Sequence, residues 1–262
     1  MRKILEERKY LLVCSVMVLT FFGLAVADAR ADERTAKLPR AETIIEKHIE
    51  ATGGRKAMEK YDSLKLTGTF SMPAMGVTAP LTTYQKAPNL GYTMINSEAF
   101  GTIESGSDGS VQWEKTMMTG AKIKEGDEAA VAERQGTFNL LLRWQDFYID
   151  AETVGIETIN GVPCFKVEMT PKVGSIETSW FDAKTYLLVK QSMTMESDMG
   201  VISMDAYPSD YREVGGLLVP FVAKQVLMGM QELVITTEEI TWNPEIPEGT
   251  FDLPEDIKAL QK

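Results

Sequence analysis

The amino-acid sequence predicts an α+β protein in which one antiparallel sheet, of about ten strands, packs against a few helices. An amphipathic helical pattern comes first, and after Asp62 the period of the apolar residues changes from about 3.6 to about 2. Tight-turn sequences separate the later strand patterns, which favours antiparallel hairpins over parallel crossovers. A largely apolar segment, residues 127–148, interrupts the strands and predicts a buried helix.

The first helix is predicted to begin at Pro39 and to end at Thr52-Gly53-Gly54. Proline is favoured in the first turn of a helix, and glycines are common just beyond the last turn. One apolar stripe with i, i+3, i+4, i+7 and i+8 spacing runs between them, formed by Ala41, Ile44, Ile45, His48 and Ile49. A second, shorter helical piece is predicted over residues 55–61.

Strand patterns begin at residues 64–72, where apolar and polar side chains alternate. Further strands are predicted over residues 78–85, 92–99, 111–118, 165–169, 176–181, 186–195 and 210–214, and from 217 toward 242. Asn160-Gly161 predicts a hairpin, because both residues readily adopt positive φ angles. Residues 182–185 predict a second turn between strands.

The pair Gly215-Gly216 is compatible with either a phosphate-binding loop or a tight turn. A phosphate loop needs a helix directly after its glycines. Here Leu217-Leu218-Val219-Pro220-Phe221 follows, and Pro220 excludes an ordinary helix start. The two glycines therefore predict a hairpin.

The segment 127–148 is predicted to form two helical pieces that are divided at Gly136-Thr137, with Asp127 able to cap the first piece. The second piece has almost no polar face, since it contains Phe138, Leu140, Leu141, Leu142, Trp144, Phe147 and Tyr148. A helix that is apolar nearly all round is normally buried on more than one side. This piece is therefore expected to be sandwiched by the sheet or to plug it.

Residues 1–31 predict a cleaved signal peptide and hence export. A basic start precedes an apolar run from Leu11 to Ala27, and two small-x-small cleavage sites, Ala27-Asp28-Ala29 and Ala29-Arg30-Ala31, follow. An uncleaved membrane anchor is the alternative, because the run is close to the shortest that spans a bilayer. Residues 32–38 predict a polar linker, and residues 39–258 predict a single domain.

The charge of the chain argues against nucleic-acid and anionic-membrane partners. The formal net charge is −11, and loss of residues 1–31 removes five basic and three acidic residues, which gives −13. Nucleic acids need a Lys/Arg surface, and an anionic bilayer repels an acidic chain. We expect no nucleic-acid partner and no stable membrane insertion after cleavage.

Catalytic and metal-binding signatures are sparse, so the sequence predicts no enzyme activity, no cofactor and no metal. The single histidine, His48, lies on the apolar stripe of the first helix and is expected to be a packed, hydrogen-bonded core residue. Cys164 is the one cysteine after the signal peptide, so no intramolecular disulfide is possible. It is expected to be a passive side chain, with a reactive thiol or an intermolecular disulfide as the alternative.

The chain is rich in methionine, with 15 residues, of which 13 follow residue 31. A sheet lined by Met and Leu, with an apolar helix against it, suits a lipid-sized cleft of several hundred Å³, although plain core filling is the alternative. The residues predicted to line such a cleft are Leu66, Phe70, Met193, Met195, Met228 and Met230 on the sheet, and Leu141, Leu142 and Trp144 on the covering helix.

Four stretches of the sequence resemble the outer-membrane lipoprotein-sorting superfamily, which contains the periplasmic lipoprotein carriers and their relatives. They are AETIIEKHIEATGGRKAMEKYDSLKLTGTF, WFDAKTYLLVKQSM, SDYREVGGLLVPF and NPEIPEGTFDLPED. The resemblance implies a strongly curved antiparallel sheet, or incompletely closed β-barrel, with helices covering or plugging an apolar cavity. It also implies a periplasmic location.

The function implied by the resemblance is non-catalytic carriage of an acyl lipid or of the acyl chains of a lipoprotein. Two alternatives remain. One is an envelope scaffold or peptidase-accessory module with a filled barrel and an envelope protein partner. The other is a hydrolase with an unrecognised site. A hydrolase needs convergent ionisable groups in a pocket, whereas the predicted interior is almost purely apolar.

Overall fold

Hairpin-connected strands make up most of the folded chain. The computed structural model describes residues 37–117, 119–197 and 200–261, with the backbone alone for residues 195–197. The predicted signal peptide, residues 1–31, and residues 32–36 of the predicted linker lie outside the described residues. From Leu38 onward the chain forms one compact unit.

The described residues contain one antiparallel sheet of 13 strands. The strands are β1 (Ser63–Met72), β2 (Val77–Lys86), β3 (Leu90–Ser97), β4 (Gly101–Asp108), β5 (Gln112–Thr116), β6 (Gly120–Ile123), β7 (Tyr148–Ile159), β8 (Val162–Pro171), β9 (Glu177–Asp182), β10 (Leu188–Ser197), β11 (Gly200–Val214), β12 (Leu217–Leu227) and β13 (Gln231–Trp242). Their order in the sheet is β6-β5-β4-β3-β2-β1-β13-β12-β11-β10-β9-β8-β7.

This order confirms the antiparallel sheet and leaves β6 and β7 as its two edges, so the sheet is open rather than closed into a barrel. The number of strands exceeds the expected ten partly because β4 and β6 were not predicted. Both begin with glycine, β4 is rich in small polar residues and β6 has only four residues, so neither shows a clear period-2 pattern.

Helices are short and few among the described residues. They are α1 (Ala41–Ala51), α2 (Arg55–Met58), α3 (Gly126–Gly136) and α4 (Glu255–Lys258), and two 3-10 helices span Pro73–Met75 and Leu140–Asp146. The predicted stripe of α1 is confirmed, since Ala41, Ile44, Ile45, His48 and Ile49 are all buried.

The second piece of the apolar segment differs from the predicted helix. Asn139 has a left-handed φ of 51°, and the residues after it form the 3-10 helix Leu140–Asp146, which is kinked at Arg143. This geometry does not continue the axis of α3. It buries Trp144 and leaves Leu141 and Leu142 half-buried. A single helix that plugs the sheet is therefore not confirmed.

The sheet is strongly curved, because α3 touches strands that lie far apart in it. α3 contacts both β5 and β10, and eight strand spacings separate these two strands. A flat sheet would hold them roughly 38 Å apart, whereas a helix of this length is only about 16 Å long. We call the face that contacts α3 the inner face, and the opposite face the outer face.

Two apolar cores pack on the two faces. On the inner face, α1 and the 3-10 helix pack against β7, β8 and β9, burying among others Ile44, Trp144 and Phe181. On the outer face, the C-terminal segment that contains α4 packs Ile257 against Trp113 of β5. The inner core thus occupies the β7 side of the sheet, and the outer core occupies the β6 side.

The glycine-containing turns form as the sequence predicted. Asn160 and Gly161 have φ angles of 49° and 83°, and they connect β7 to β8. Gly215 and Gly216 have φ angles of 63° and 81°, and they connect β11 to β12. Two successive positive φ angles match the twist of antiparallel strands. Both predicted hairpins are confirmed.

The long alternating run from Leu217 toward Trp242 is two strands rather than one. Met228 and Gly229 have φ angles of 51° and 69° and turn the chain between β12 and β13. Met228 and Met230 are consequently 55% and 80% exposed in this turn. Their expected place on the lining face of the sheet is therefore wrong. Gly229 was the local signal for the turn, hidden by the apolar residues on both sides of it.

Candidate functional site

Register identifies the side chains of the inner face strand by strand. Met193 of β10 contacts α3, because its Sδ accepts a hydrogen bond from that helix at 2.9 Å. Met193 pairs with Met204 of β11, which pairs with Leu227 of β12. On the same face of β12, Ala223 pairs with Ile235 of β13. Apolar residues thus predominate on the inner face from β10 to β13, where Gln191 and Gln225 are the polar interruptions in the intervening row.

The apolar band continues across the other half of the sheet. Register places Leu81 of β2, Ile95 of β3 and Ile103 of β4 in one row. Phe70 of β1 lies opposite Ala79 in the next row. Phe70, Ala79 and Leu81 are buried, whereas Ile95 and Ile103 remain half-buried. Because neighbouring side chains on one face lie about 5 Å apart, these rows form a continuous apolar surface.

Three of the predicted lining residues share this inner face. Leu66 is half-buried, and Phe70 and Met193 are each 9% exposed. Met195 occupies the same strand face as Met193, opposite Ile202, and its side chain lies outside the described part of the structure.

The residues predicted to cover the cleft lie in the inner core. Trp144 is 6% exposed within that core, and Leu141 and Leu142 pack against it. Phe70 and Met193 do not belong to this core. The structure therefore does not bring the predicted sheet lining and the predicted cover together in one cluster.

A cavity of 170 Å³ lies between α3 and strands β2 to β5. Amide and hydroxyl side chains line it, namely Gln85, Asn89, Thr93, Ser105, Ser107, Gln112 and Gln135. Tyr84, Tyr92 and Trp113 also border it, although register places their side chains on the outer face of the sheet. This cavity is smaller and much more polar than the apolar cavity expected from the sequence.

The polar residues of this cavity were not found by sequence reasoning. Thr93 lies between Tyr92 and Met94, as a polar residue on any solvated strand face does, and Ser105 lies in a run of small and polar residues. Register alone reveals that they lie on the inner face with Leu81 and Ile95, since each is an even number of residues away along a regular strand. No local sequence signal distinguishes a polar face under a helix from one in water.

The lysines next to the cavity are paired with carboxylates. Lys124 Nζ lies 3.0 Å from a carboxylate oxygen of Glu114 and 3.7 Å from one of Glu128. Lys122 Nζ lies 2.9 Å from the other carboxylate oxygen of Glu128. These pairs fasten the first turn of α3 to β5 and β6, and they balance the positive charge at this side of the cavity.

A buried ion pair holds the other end of α3. Arg134 and Glu177 are 3% and 4% exposed, and Arg134 Nη2 donates to Glu177 Oε1 at 2.6 Å. Arg134 Nη1 also donates to the carbonyl of Val173 at 2.8 Å, and the Tyr148 hydroxyl donates to Glu177 Oε2 at 2.6 Å. Burial, together with the nearby charge of Glu177, raises the pKa of Tyr148. The network is an anchor, because its charges are matched inside the fold.

His48 and Cys164 have the structural environments that the sequence predicted. The Nδ1–H of His48 donates to the carbonyl of Tyr186 at 2.9 Å, and the ring packs 5.2 Å from the ring of Phe181. Cys164 is fully buried in β8, and burial raises the pKa of its thiol. Both residues contribute to packing.

The described residues show neither a metal-binding cluster nor a membrane-spanning helix. Within them, no group of three or more His, Cys, Asp or Glu side chains is arranged to hold a metal ion. Over the same residues, no helix has both the length and the apolar character needed to cross a membrane.

Comparisons with known proteins identify the fold. No protein-family model matches the chain, and no curated protein matches it significantly. A DUF1329 family protein from Desulfovibrio piger superposes with a TM-score of 0.53 at 14% identity, covering 81% of this chain and 97% of that one. A domain described as an outer membrane lipoprotein-sorting protein, from Vibrio parahaemolyticus, gives 0.53 at 12% identity, with coverages of 81% and 96%.

A LolA superfamily protein from Nitrosomonas europaea gives a TM-score of 0.54 at 12% identity, covering 82% of this chain and 99% of that one. At such identities the similarity is one of fold. The chain therefore has the fold of the lipoprotein-sorting, or LolA, superfamily, as the four resembling stretches of its sequence predicted.

Proposed function

We propose that the protein is a periplasmic, non-catalytic carrier that binds the acyl chains of a lipid or lipoprotein on the inner face of its sheet. The observation that carries this proposal is the apolar band from β10 to β4. Its members Leu66, Ile95, Ile103 and Ile235 remain half-buried although α3 crosses the same face. Large apolar side chains that stay partly accessible on a concave face are suited to an apolar ligand.

The energetics of this mode of binding are favourable. Each buried methylene contributes about 0.8 kcal/mol, so a chain of about 14 carbons supplies roughly 11 kcal/mol if it is fully buried. An open face buries only part of the chain, and association has its own entropic cost. Micromolar affinity is therefore within reach without a polar anchor.

Envelope scaffolding is the second candidate, and a different surface favours it. Antiparallel hairpins place every second turn at the same end of the sheet. Exposed apolar residues cluster in or beside the turns of one end, at Met75, Met117, Val201, Met228 and Met230, with exposures from 55% to 80%. Such an edge suits contact with an envelope protein partner.

A pair of adjacent residues on β13 tests carriage. Ile235 lies on the inner face and Val234 on the outer face, and both are half-buried. An acyl chain on the inner face would be expelled by a carboxylate there, so Ile235→Glu should weaken binding of a fluorescent fatty acid at least about 10-fold. Val234→Glu is the matched control and should change the affinity less than about 2-fold.

Native mass spectrometry of protein purified from its own envelope would identify a bound lipid or lipoprotein. Circular dichroism should show the same fold for both variants. If the unmodified protein carries no acyl ligand and also refuses added fatty acid and lipopeptide, carriage is wrong and scaffolding becomes the better explanation.

A further inference from the structure

The inner face has a sharp boundary between apolar and polar side chains within β2, β3 and β4. Leu81, Ile95 and Ile103 form the last apolar row. One step further along the same face, the row consists of Thr83, Thr93 and Ser105, followed by a row with Gln85, Gly91, Ser107 and Gln112. The polar rows form the floor of the 170 Å³ cavity, and α3 forms its roof.

Several polar groups of the cavity have hydrogen-bonding capacity to spare. The side chains of Gln85 and Ser105 line the cavity and make no hydrogen bond to another described residue. Free amide and hydroxyl groups that line a cavity are available to a ligand that supplies matching donors and acceptors.

The charge around the cavity selects against an anionic group. Lys124 is the one cation among the lining residues, and it is already paired with Glu114 and Glu128. Asn89, another lining residue, lies within 3.5 Å of the carboxylate of Glu133. A phosphate would therefore meet carboxylates and no free cation. Amides and hydroxyls suit a neutral group that both donates and accepts hydrogen bonds.

We propose that this cavity binds the neutral, polyhydroxylated head group of an amphiphile, while the acyl chain lies across Leu81, Ile95 and Ile103. This inference rests on the proposed carrier function for the chain. The volume fits one sugar ring or a glycerol unit, since a cavity of about 150 Å³ admits a benzene ring. The polar and apolar rows are adjacent, so one molecule can occupy both.

Probes that share one 12-carbon chain but differ in their head groups distinguish binding in the polar cavity from binding on the apolar row. Dodecyl glucoside and monododecanoyl glycerol carry neutral hydroxylated heads, whereas laurate and lauroyl lysophosphatidylglycerol are anionic. Calorimetry below micelle-forming concentrations should show the neutral probes binding about 10-fold or more tightly than either anionic one, the effect of one or two hydrogen bonds. Free glucose and glycerol, measured alone, report whether the cavity takes the head group without a chain.

Gly91 offers a variant that fills the cavity without straining the fold. It lies on the inner face of β3 and lines the cavity, and a Cβ added there would meet nothing within 4 Å. Gly91→Val should abolish the preference for neutral heads and leave the affinity for laurate within about 2-fold, with no loss of thermal stability because valine favours strands. Gly155→Val is the matched control, since Gly155 is an equally unobstructed strand glycine that does not line the cavity.

Gln85→Leu, which removes a lining amide, should reduce the preference in the same direction. Equal affinities for dodecyl glucoside and laurate, unchanged by Gly91→Val, would overturn the head-group site and leave acyl carriage intact. If no probe with a 12-carbon chain binds, both proposals are wrong. Binding of free glucose as tightly as dodecyl glucoside would show a sugar site independent of the chain, which overturns the amphiphile.

Discussion

His48 couples protonation to folding near neutral pH. It is 8% exposed, its Nδ1–H is bonded to the carbonyl of Tyr186, and its ring packs on Phe181. Burial lowers the pKa of the imidazole by more than the hydrogen bond to Tyr186 raises it. The folded protein therefore holds this residue as a neutral imidazole, and protonation favours the unfolded chain.

The sign of the pH dependence follows from this difference. As the pH falls through about 6.5, the unfolded chain binds the proton first, so the free energy of unfolding decreases until the folded-state pKa is reached. The slope should not exceed about 1.4 kcal/mol per pH unit. Urea unfolding between about pH 7.5 and about pH 5.5 measures it. His48→Gln keeps a side-chain N–H donor and should flatten the slope; an unchanged slope would contradict the assignment to His48.

The end of α1 and the turn between β11 and β12 form one structural unit, although they are far apart in the sequence. The N–H of Leu218 donates to the carbonyl of Thr52 at 3.0 Å. A Cβ on Gly53 would lie 2.5 Å from the carbonyl oxygen of Gly216. Two glycine pairs that the sequence marks as separate turns therefore pack against each other.

Alanine substitutions at Gly53 and Gly54 distinguish the steric cost of disturbing this packing from the cost of the backbone conformation. Both have positive φ angles, of 122° and 84°, but a Cβ on Gly54 would meet nothing within 4 Å. Gly54 has a ψ of 159°, a combination with positive φ that is open essentially to glycine, so Gly54→Ala should cost about 1–3 kcal/mol for the backbone conformation alone. Gly53→Ala should cost more by at least about 1 kcal/mol, because backbone atoms of the hairpin must move. Equal losses in chemical denaturation would show that the close approach does not matter.

At the scale of the whole molecule, α3 joins two parts of the curved sheet. Salt bridges of Glu128 hold its first turn against β5 and β6, and the salt bridge between Arg134 and Glu177 holds its last turn against β9. The salt bridges at the two ends differ in burial. The side chains of Glu128 and its lysine partners are about one-third or one-quarter exposed, whereas those of Arg134 and Glu177 are 4% and 6% exposed.

This difference in burial predicts unequal losses of stability when the salt bridges at one end or the other are removed. Glu177→Ala leaves the charge of Arg134 buried without a partner and should cost about 3–5 kcal/mol, or roughly 10 °C in Tm. Glu128→Ala removes a partly solvated carboxylate and should cost less than about 1 kcal/mol. Differential scanning calorimetry of the two variants measures both. Similar losses would mean that the buried pair does not anchor α3.

Particular residues show how far the sequence predicted the fold and the candidate site. The stripe of α1 and the turns at Asn160-Gly161 and Gly215-Gly216 were predicted, because helix period and positive φ are local properties. Of the candidate lining residues, Leu66, Phe70 and Met193 lie on the inner face. The turn at Met228 was missed, and the predicted helix after Gly136 is a 3-10 helix that starts from the left-handed Asn139.

Local sequence determined which segments form strands, where most of the turns lie and which residues of α1 are buried. Each of these features depends on neighbours only a few residues away. Tertiary structure alone decided which face of each strand is the inner one. It also placed polar Gln85 and Ser105 under α3 and paired Arg134 with Glu177 across the fold. These features depend on register between distant strands and on the curvature of the sheet. No short stretch of sequence encodes either one, because a shift of one residue exchanges the two faces.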